Sequence, residues 1–293
     1  MSDDSLLAEV QHRTAAALAT GALQPIPTEF TTLESEGVQF LVRIVANLVA
    51  KEQAAQKQKA AAQQGKPANP FLPYEAELFV RHLSPTHACL LNKFNVVDHH
   101  ILMVTRHYES QDTWLNASDF EALALCLAEI DGLGFYNGGR QAGASQHHKH
   151  LQLIPLPFAP MMARLPLATL VEPHLQGDRV IEVAALPFQH RVRSLQFDPR
   201  HLSTTVEELL NAYRAVMTSL GLSLDDPAPR HPYNLLVTRR WMFAVLRSRE
   251  SHHNIPVNAL GYAGSLLVKN QTGLTHLTQL GPMKLLQAVG VDR

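Results

Sequence analysis

The chain has 293 residues, 46% of them hydrophobic and 17% charged, a balance that excludes wholesale disorder and allows one large domain or two closely packed parts. Its formal net charge of −1 excludes a global basic footprint for nucleic acid or an anionic membrane, so affinity for phosphates has to come from locally placed donors. Two cysteines, Cys89 and Cys126, make neither a zinc site nor a disulfide framework and fit a reducing compartment.

MSDDSLLAEV at the N-terminus is acidic with no long apolar region behind it, so no secretory signal is expected. The best apolar run, VQFLVRIVANLVA, contains Arg43 and is too short to cross a bilayer. The expected location is the cytoplasm, without a membrane partner.

Residues 5–20 predict a helix, with Leu6, Leu7, Val10 and Leu18 on one face. Val38, Phe40, Val42 and Ile44 alternate as in a strand. A low-complexity Ala/Gln/Lys stretch follows Lys51, and the pattern reorganises after it. ELFVRHL, HACLLNKF and HHILMVT predict adjacent antiparallel strands. Ser118 or Asp119 is placed to cap a helix carrying Phe120, Leu123, Leu125, Leu127 and Ile130.

GFYN reads as a further strand, then come the loop GGRQAGASQ and the strand-like HHKHLQLIPLP. Past Pro160 the pattern weakens until STTVEELLNAYRAVMTSLG, a helix with a Ser cap and a terminal Gly. PYNLLVT and WMFAVLR predict two strands joined by Arg239 and Arg240, and Trp241 reads as core. GSLLVK leads to a C-terminal helix interrupted by Pro282. The irregular alternation favours an α+β fold over a doubly wound parallel one.

Of the sixteen histidines, those in GASQHHKHLQLIP (143–155) carry the strongest signal. In a strand, His148, His150 and Gln152 share one face, while Lys149, Leu151 and Leu153 share the other. Leu151 and Leu153 can enter the core while the polar trio lines a cleft, because burying that trio without partners is costly. Imidazole has an unperturbed pKa of about 6.5 and is a competent neutral nucleophile near pH 7. Nitrogen attack on phosphorus splits one transfer into two displacements through a covalent intermediate. Gly143, Ala144 and Ser145 offer backbone amides as an anion nest, and Ser145, Gln146 and Gln152 add neutral donors.

HHKH could instead hold zinc, copper or nickel, but no carboxylate or cysteine stands nearby in sequence to complete a site. A surface cluster without a role is the blander alternative. The doublets His99–His100 and His252–His253 read as surface or supporting residues.

His148-Lys149-His150-Leu151-Gln152 resembles the H-x-H-x-Q signature of the transferase branch of the histidine-triad superfamily; the hydrolase branch has a third histidine where Gln152 stands. NPFLPYE (69–75), LNKFNVVDHHILMVT (91–105), FYNGGRQAGASQHHKHLQ (135–152) and NALGYAGSLLVKN (258–270) are similar to the diadenosine tetraphosphate phosphorylases, also called ATP adenylyltransferases. The resemblance runs in order from about Phe40 to Asn270, and His147 stands where the family commonly has proline.

The resemblance implies a histidine-triad-like antiparallel sheet flanked by helices, with a C-terminal α/β extension packed on it. Residues 1–165 would hold the core and the H-x-H-x-Q strand, and 166–293 would complete the sheet and substrate site. It implies phosphorolysis of diadenosine tetraphosphate to ATP and ADP through nucleotidyl-His150, in reversible nucleotidyl transfer. His148 and Gln152 would assist. Lys51, Asn92, Lys93, Asn137, Gly143, Ala144, Ser145, Gln146, Asn258, Ser265 and Lys269 fall on substrate-contacting positions. A tetraphosphate carries about four negative charges, so Lys93 and Lys269, each at a strand end, suit a cleft that needs cations.

No covalent cofactor and no protein metal site are implied, although a divalent cation such as Mg can accompany the polyphosphate. Partners would be dinucleoside polyphosphate, ATP, ADP and inorganic phosphate, with no nucleic acid, and the chain is expected to be a monomer. Three rival readings stay open on sequence: a hydrolase, a sugar-phosphate nucleotidyltransferase and a nucleotide-binding sensor.

Overall fold

The structure, a computed structural model, describes residues 5–45, 69–159, 162 and 165–293. In chain order its elements include α1 (Leu6–Thr20), β1 (Thr28–Ser35), β2 (Val38–Val45), β3 (Phe79–His82), β4 (His87–Leu91), β5 (Ile101–Thr105), α2 (Ala117–Glu129), β6 (Gly132–Gly138) and β7 (His150–Pro155). There follow α3 (Ala168–Val171), β8 (His190–Ser194), α4 (Leu202–Ser219), β9 (Tyr233–Val237), β10 (Trp241–Leu246), β11 (Ser251–His252), β12 (Ile255–Pro256), β13 (Ser265–Val268), α5 (Gln271–Leu280) and α6 (Pro282–Val289).

An eight-stranded sheet in the order β3-β4-β5-β7-β6-β9-β10-β8 forms the centre, antiparallel at every pairing. Period-two alternation sorts its side chains between two cores. Leu151 and Leu153 of β7, with Met242, Ala244 and Leu246 of β10, pack against Phe120 and Leu127 of α2, Val10 of α1 and Leu209 of α4. Ile154, Trp241, Phe243 and Val245 face the other way, onto Val38, Phe40, Leu266, Leu277 and Leu286. Three helices therefore cover one face. The second carries α5, α6 and a three-stranded sheet in which β13 runs parallel to β2.

Gly134 permits the closest approach of α2, since a methyl there would run into the Leu123 side chain. The β6–β9 pairing, Gly134↔Val237 to Gly138↔Tyr233, carries the sheet from residues 1–165 into residues 166–293. The α+β architecture is thus the expected one, and the C-terminal part completes the sheet. No helix among the described residues is long and apolar enough to cross a membrane.

Some local expectations need correction. Asn116, not Ser118 or Asp119, caps α2; Asp119 is the third residue of a capping box and binds back to the Asn116 amide at 2.7 Å. Ser203 lies inside α4, whose N-cap His201 makes no side-chain cap bond; the terminal glycine is where it was expected, Gly221 standing just past Leu220 at φ 78° with its amide on the Thr218 carbonyl at 2.9 Å. β7 begins only at His150. His148 makes an isolated bridge to Ser110, because residues 147–149 turn aside along the 109–111 segment.

Lys149 points away from the two histidines, as alternation requires, but into a buried polar cluster. Its ammonium lies 2.7 Å from Asp119 Oδ2 and 3.2 Å from Glu109 Oε2, and it donates to the Trp114 carbonyl at 2.9 Å. Asp119 Oδ1 lies 3.1 Å from His87 Nε2. Burial alone would raise the Asp119 carboxyl, yet hydrogen bonds from His87 and Lys149 and the lysine charge hold it below the ordinary carboxylate range. The cluster ties the first turn of α2 to the start of β7. Lys149→Met is expected to lower stability by about 3–5 kcal/mol, measured by urea unfolding, because it strips a partner from a buried carboxylate.

Candidate active site

His150 begins β7, 4% exposed, under the ring of Phe71 with centroids 5.3 Å apart. Its Nδ1 donates to the carbonyl of His148 at 2.8 Å, so Nε2 carries the free lone pair. Burial pushes the imidazole down to about 4; the hydrogen bond to the carbonyl opposes this, and proximity to His148 adds to it. At neutral pH the group is therefore uncharged and nucleophilic.

His148 is anchored at both ring nitrogens. Nε2 donates to the Thr105 carbonyl at 2.8 Å, and Nδ1 accepts from Asn69 Nδ2 at 2.9 Å. Phe71 and Tyr108 pack edge-on against it. With both nitrogens occupied, its contribution is to hold its own carbonyl against His150.

Gln152, two residues along the same face, accepts at Oε1 from His100 Nε2 at 3.0 Å. Nδ1 of His100 in turn accepts from Asn92 Nδ2 at 3.0 Å. This relay brings Asn92 into the site and fixes the Gln152 amide with its nitrogen as the donor end. His100, read from sequence only as a supporting residue, is 6% exposed and held near pKa 4 by burial, partly offset by the Gln152 bond.

A second cluster forms around Asn137. Its Oδ1 accepts from Asn234 Nδ2 at 2.8 Å and from the Ala259 amide at 2.9 Å. Asn234 also donates to the Ala142 carbonyl at 2.8 Å and accepts from Arg247 Nη1 at 2.6 Å. Arg247, 1% exposed, reaches on to the carbonyls of Val289 and Arg249. The network joins the 139–146 loop to the 258–263 turn, where Asn258 Oδ1 accepts from the Leu260 amide at 3.0 Å. Gly143, at φ 92°, lies so close to Asn258 that an added Cβ would sit 2.8 Å from that residue's Cβ.

The loop differs from the expected nest in one respect. The Gly143 and Ala144 amides bond inward, to the carbonyls of Arg140 (2.9 Å) and Gly139 (3.2 Å), because the segment closes a 3₁₀ turn. These two residues shape the loop; exposed Ser145 and half-buried Gln146 lie past that turn. Lys93 also differs. Its ammonium grips both carboxylate oxygens of Glu75, at 2.6 and 2.8 Å, rather than standing free. Ser265 and Lys269 stand at the start of β13 and just past its end, on the smaller sheet, and Lys51 lies outside the described residues.

Sequence reasoning missed Gln111, Asn234 and Arg247. None belongs to a local pattern; each acts through a contact distant in the chain. Among the described residues no group of three or more His, Cys, Asp or Glu is arranged to hold a metal ion.

His150 and His100 should both make stability depend on pH. Unfolded imidazole binds a proton near pH 6.5, whereas the folded groups bind theirs only near 4. Between those values the unfolded chain holds the extra protons, so stability falls as pH drops through this window, by on the order of 1–3 kcal/mol per histidine. Urea unfolding between pH 7 and 4.5 should show the decline, and the His150 Cε1 proton should not titrate above about pH 5.5 by NMR.

The family model for the Ap4A (diadenosine tetraphosphate) phosphorylase N-terminal domain matches residues 1–173, and that for the ATP adenylyltransferase C-terminal domain matches residues 184–292. Diadenosine 5',5'''-P1,P4-tetraphosphate phosphorylase 2 of Saccharomyces cerevisiae is 28% identical over 312 residues, covering 95% of this chain and 92% of the yeast protein. The crystal structure of yeast Ap4A phosphorylase Apa2 superposes with a TM-score of 0.78 at 24% identity, covering 100% of this chain and 99% of the other. The same yeast enzyme in complex with Ap4A gives 0.76, at the same identity and coverage. With its H-x-H-x-Q strand in place and both halves matched, the chain belongs to the Ap4A phosphorylase family.

Proposed function

We propose that this chain phosphorolyses diadenosine tetraphosphate to ATP and ADP, with His150 as the nucleophile. The observation that carries the reading is a buried, uncharged His150 whose Nδ1–H is held by the His148 carbonyl, in a chain of this family. Nε2 attacks the phosphorus attached to one adenosine, forming an N–P bond as the P–O bond to the departing ATP breaks. Positive charge develops on the imidazole, and the His148 carbonyl stabilises it through the Nδ1 hydrogen bond. Inorganic phosphate then attacks the same phosphorus, the N–P bond breaks, and ADP leaves with His150 neutral again. The two displacements make the reaction reversible.

In this reading the Gln152 amide donates to a phosphoryl oxygen, oriented by His100 and Asn92. Ser145 and Gln146 bind phosphate oxygens on a loop shaped by Gly143 and Ala144, with Asn137 and Asn258 holding its frame. Lys269, Ser265 and Lys51 serve the polyphosphate, and Lys93 exchanges Glu75 for it. A divalent cation such as Mg arrives with the substrate. The enzyme is proposed to act as a monomer in the cytoplasm. The yeast relative Apa2 has been solved in complex with Ap4A.

Product analysis of diadenosine tetraphosphate, incubated with and without inorganic phosphate, tests this. ADP plus ATP is expected only with phosphate; AMP plus ATP without it would mean a hydrolase, and no turnover would refute both. His150→Ala should abolish turnover and covalent labelling while nucleotide binding stays largely intact. Gln152→His is expected to let water compete with phosphate, so AMP should appear beside ADP; an unchanged product ratio would show that Gln152 does not select the acceptor.

A further inference from the structure

The β6–β7 ladder runs from Gly132↔Pro155 to Phe135↔Gln152 and stops. Two residues further, the same register would set Asn137 against His150. Both strands continue past that point but along other neighbours: β6 to Gly138 against β9, and β7 back to His150 against Val104 of β5. The missing rung is filled by a side chain. Gln111, 1% exposed, accepts the His150 amide proton at Oε1 (2.8 Å) and donates from Nε2 to the carbonyls of Asn137 (3.0 Å) and His150 (3.3 Å).

A carboxamide carries the acceptor and the donor of a peptide unit and one further N–H, so it can satisfy both strands while keeping them further apart than the roughly 4.8 Å of a direct rung. Gln111 is itself fixed at its backbone: its N–H donates to the His147 carbonyl at 2.8 Å, and its carbonyl accepts from the buried Tyr136 hydroxyl. One amide thus grips the main chain of His150 on both sides. It also grips the residue whose side chain bonds Asn234 and Ala259 beneath the 139–146 loop.

The geometry points to Gln111 as a positioning residue for this reaction: it fixes the His150 main chain relative to the floor of the loop and thereby sets the line of approach of Nε2 to phosphorus. Attack depends on that line, and a displacement of about 1 Å costs on the order of 100-fold in rate. Binding of the nucleotide does not depend on it, which separates this role from a structural one. The inference rests on the phosphorylase reading above.

The test compares wild type with Gln111→Met and Gln111→Glu. Methionine keeps the length but removes all three hydrogen bonds. Glutamate keeps the acceptor and turns a carboxylate oxygen toward two carbonyls. Each variant should lower kcat for phosphorolysis by roughly 30- to 100-fold, with KM for diadenosine tetraphosphate within about threefold of wild type. Single-turnover labelling of His150 should slow by the same factor. Active-site titration with bound nucleotide normalises for any unfolded fraction. Loss confined to the titrated fraction, or to KM, would assign Gln111 to folding or binding and overturn the proposal. An inactive wild type would remove the phosphorylase reading and this inference with it, whereas fully active variants beside an active wild type would remove the inference alone.

Discussion

Much of this molecule follows from one hydrogen bond, 2.8 Å long, between His150 Nδ1 and the carbonyl two residues before it. For a side chain to reach the main chain of residue i−2, the strand must leave the regular ladder at that residue. It does: β7 begins at His150, and residues 147–149 follow a different neighbour. Everything near the break then has to satisfy exposed peptide groups in a dry place. The Gln111 backbone amide takes the His147 carbonyl, the Glu109 carbonyl takes the Lys149 amide, the Thr105 amide takes the Lys149 carbonyl, and the Gln111 side chain takes the amide and carbonyl of His150. The result is an imidazole with a fixed tautomer and a lone pair on Nε2.

The two faces of β7 divide the labour. On one, Leu151 and Leu153 bury against α2 while Lys149 ends in the charge cluster with Asp119. On the other, His150 and Gln152 meet Phe71, His100 and, through His100, Asn92. Because the lysine is locked between two histidines in sequence, a shift of the strand by one residue would place an ammonium beside Phe71 and His100 and an imidazole in the helix interface. Register is thereby specified by charge as well as by apolar burial.

The alternation of HHKHLQL was legible because period-two patterning needs only local information, and Leu151, Leu153 and Lys149 face the way it indicates. The strands richest in apolar residues, β4, β5, β9 and β10, were legible as short apolar runs bounded by polar or turn residues, and they are buried throughout. β1, TEFTTLES, escaped because it is an edge strand with exposed and half-buried residues in turn, and β8 because its short run HRVRS is interrupted by arginines that are themselves paired. The cap of α2 was misplaced by two or three residues because Asn116, Ser118 and Asp119 are all competent cap residues, and the capping box decides among them. Within the site, the loop was legible as a loop but not the inward bonding of Gly143 and Ala144, and Lys93 gave no sign that Glu75 would hold it. Gln111, Asn234 and Arg247 join the site through partners distant in the chain, where no spacing rule reaches.

The continuity of the sheet through β6 and β9 has a consequence for synthesis. A growing chain completes β7, the strand that begins at His150, well before it makes Asn234, Arg247 and Ala259, the groups that tie down the floor of the neighbouring loop. Until those arrive, the edge of β6 stands open and the loop lacks its supports. The frame around His150 is thus complete only when β9 and the residues after it have folded onto β6.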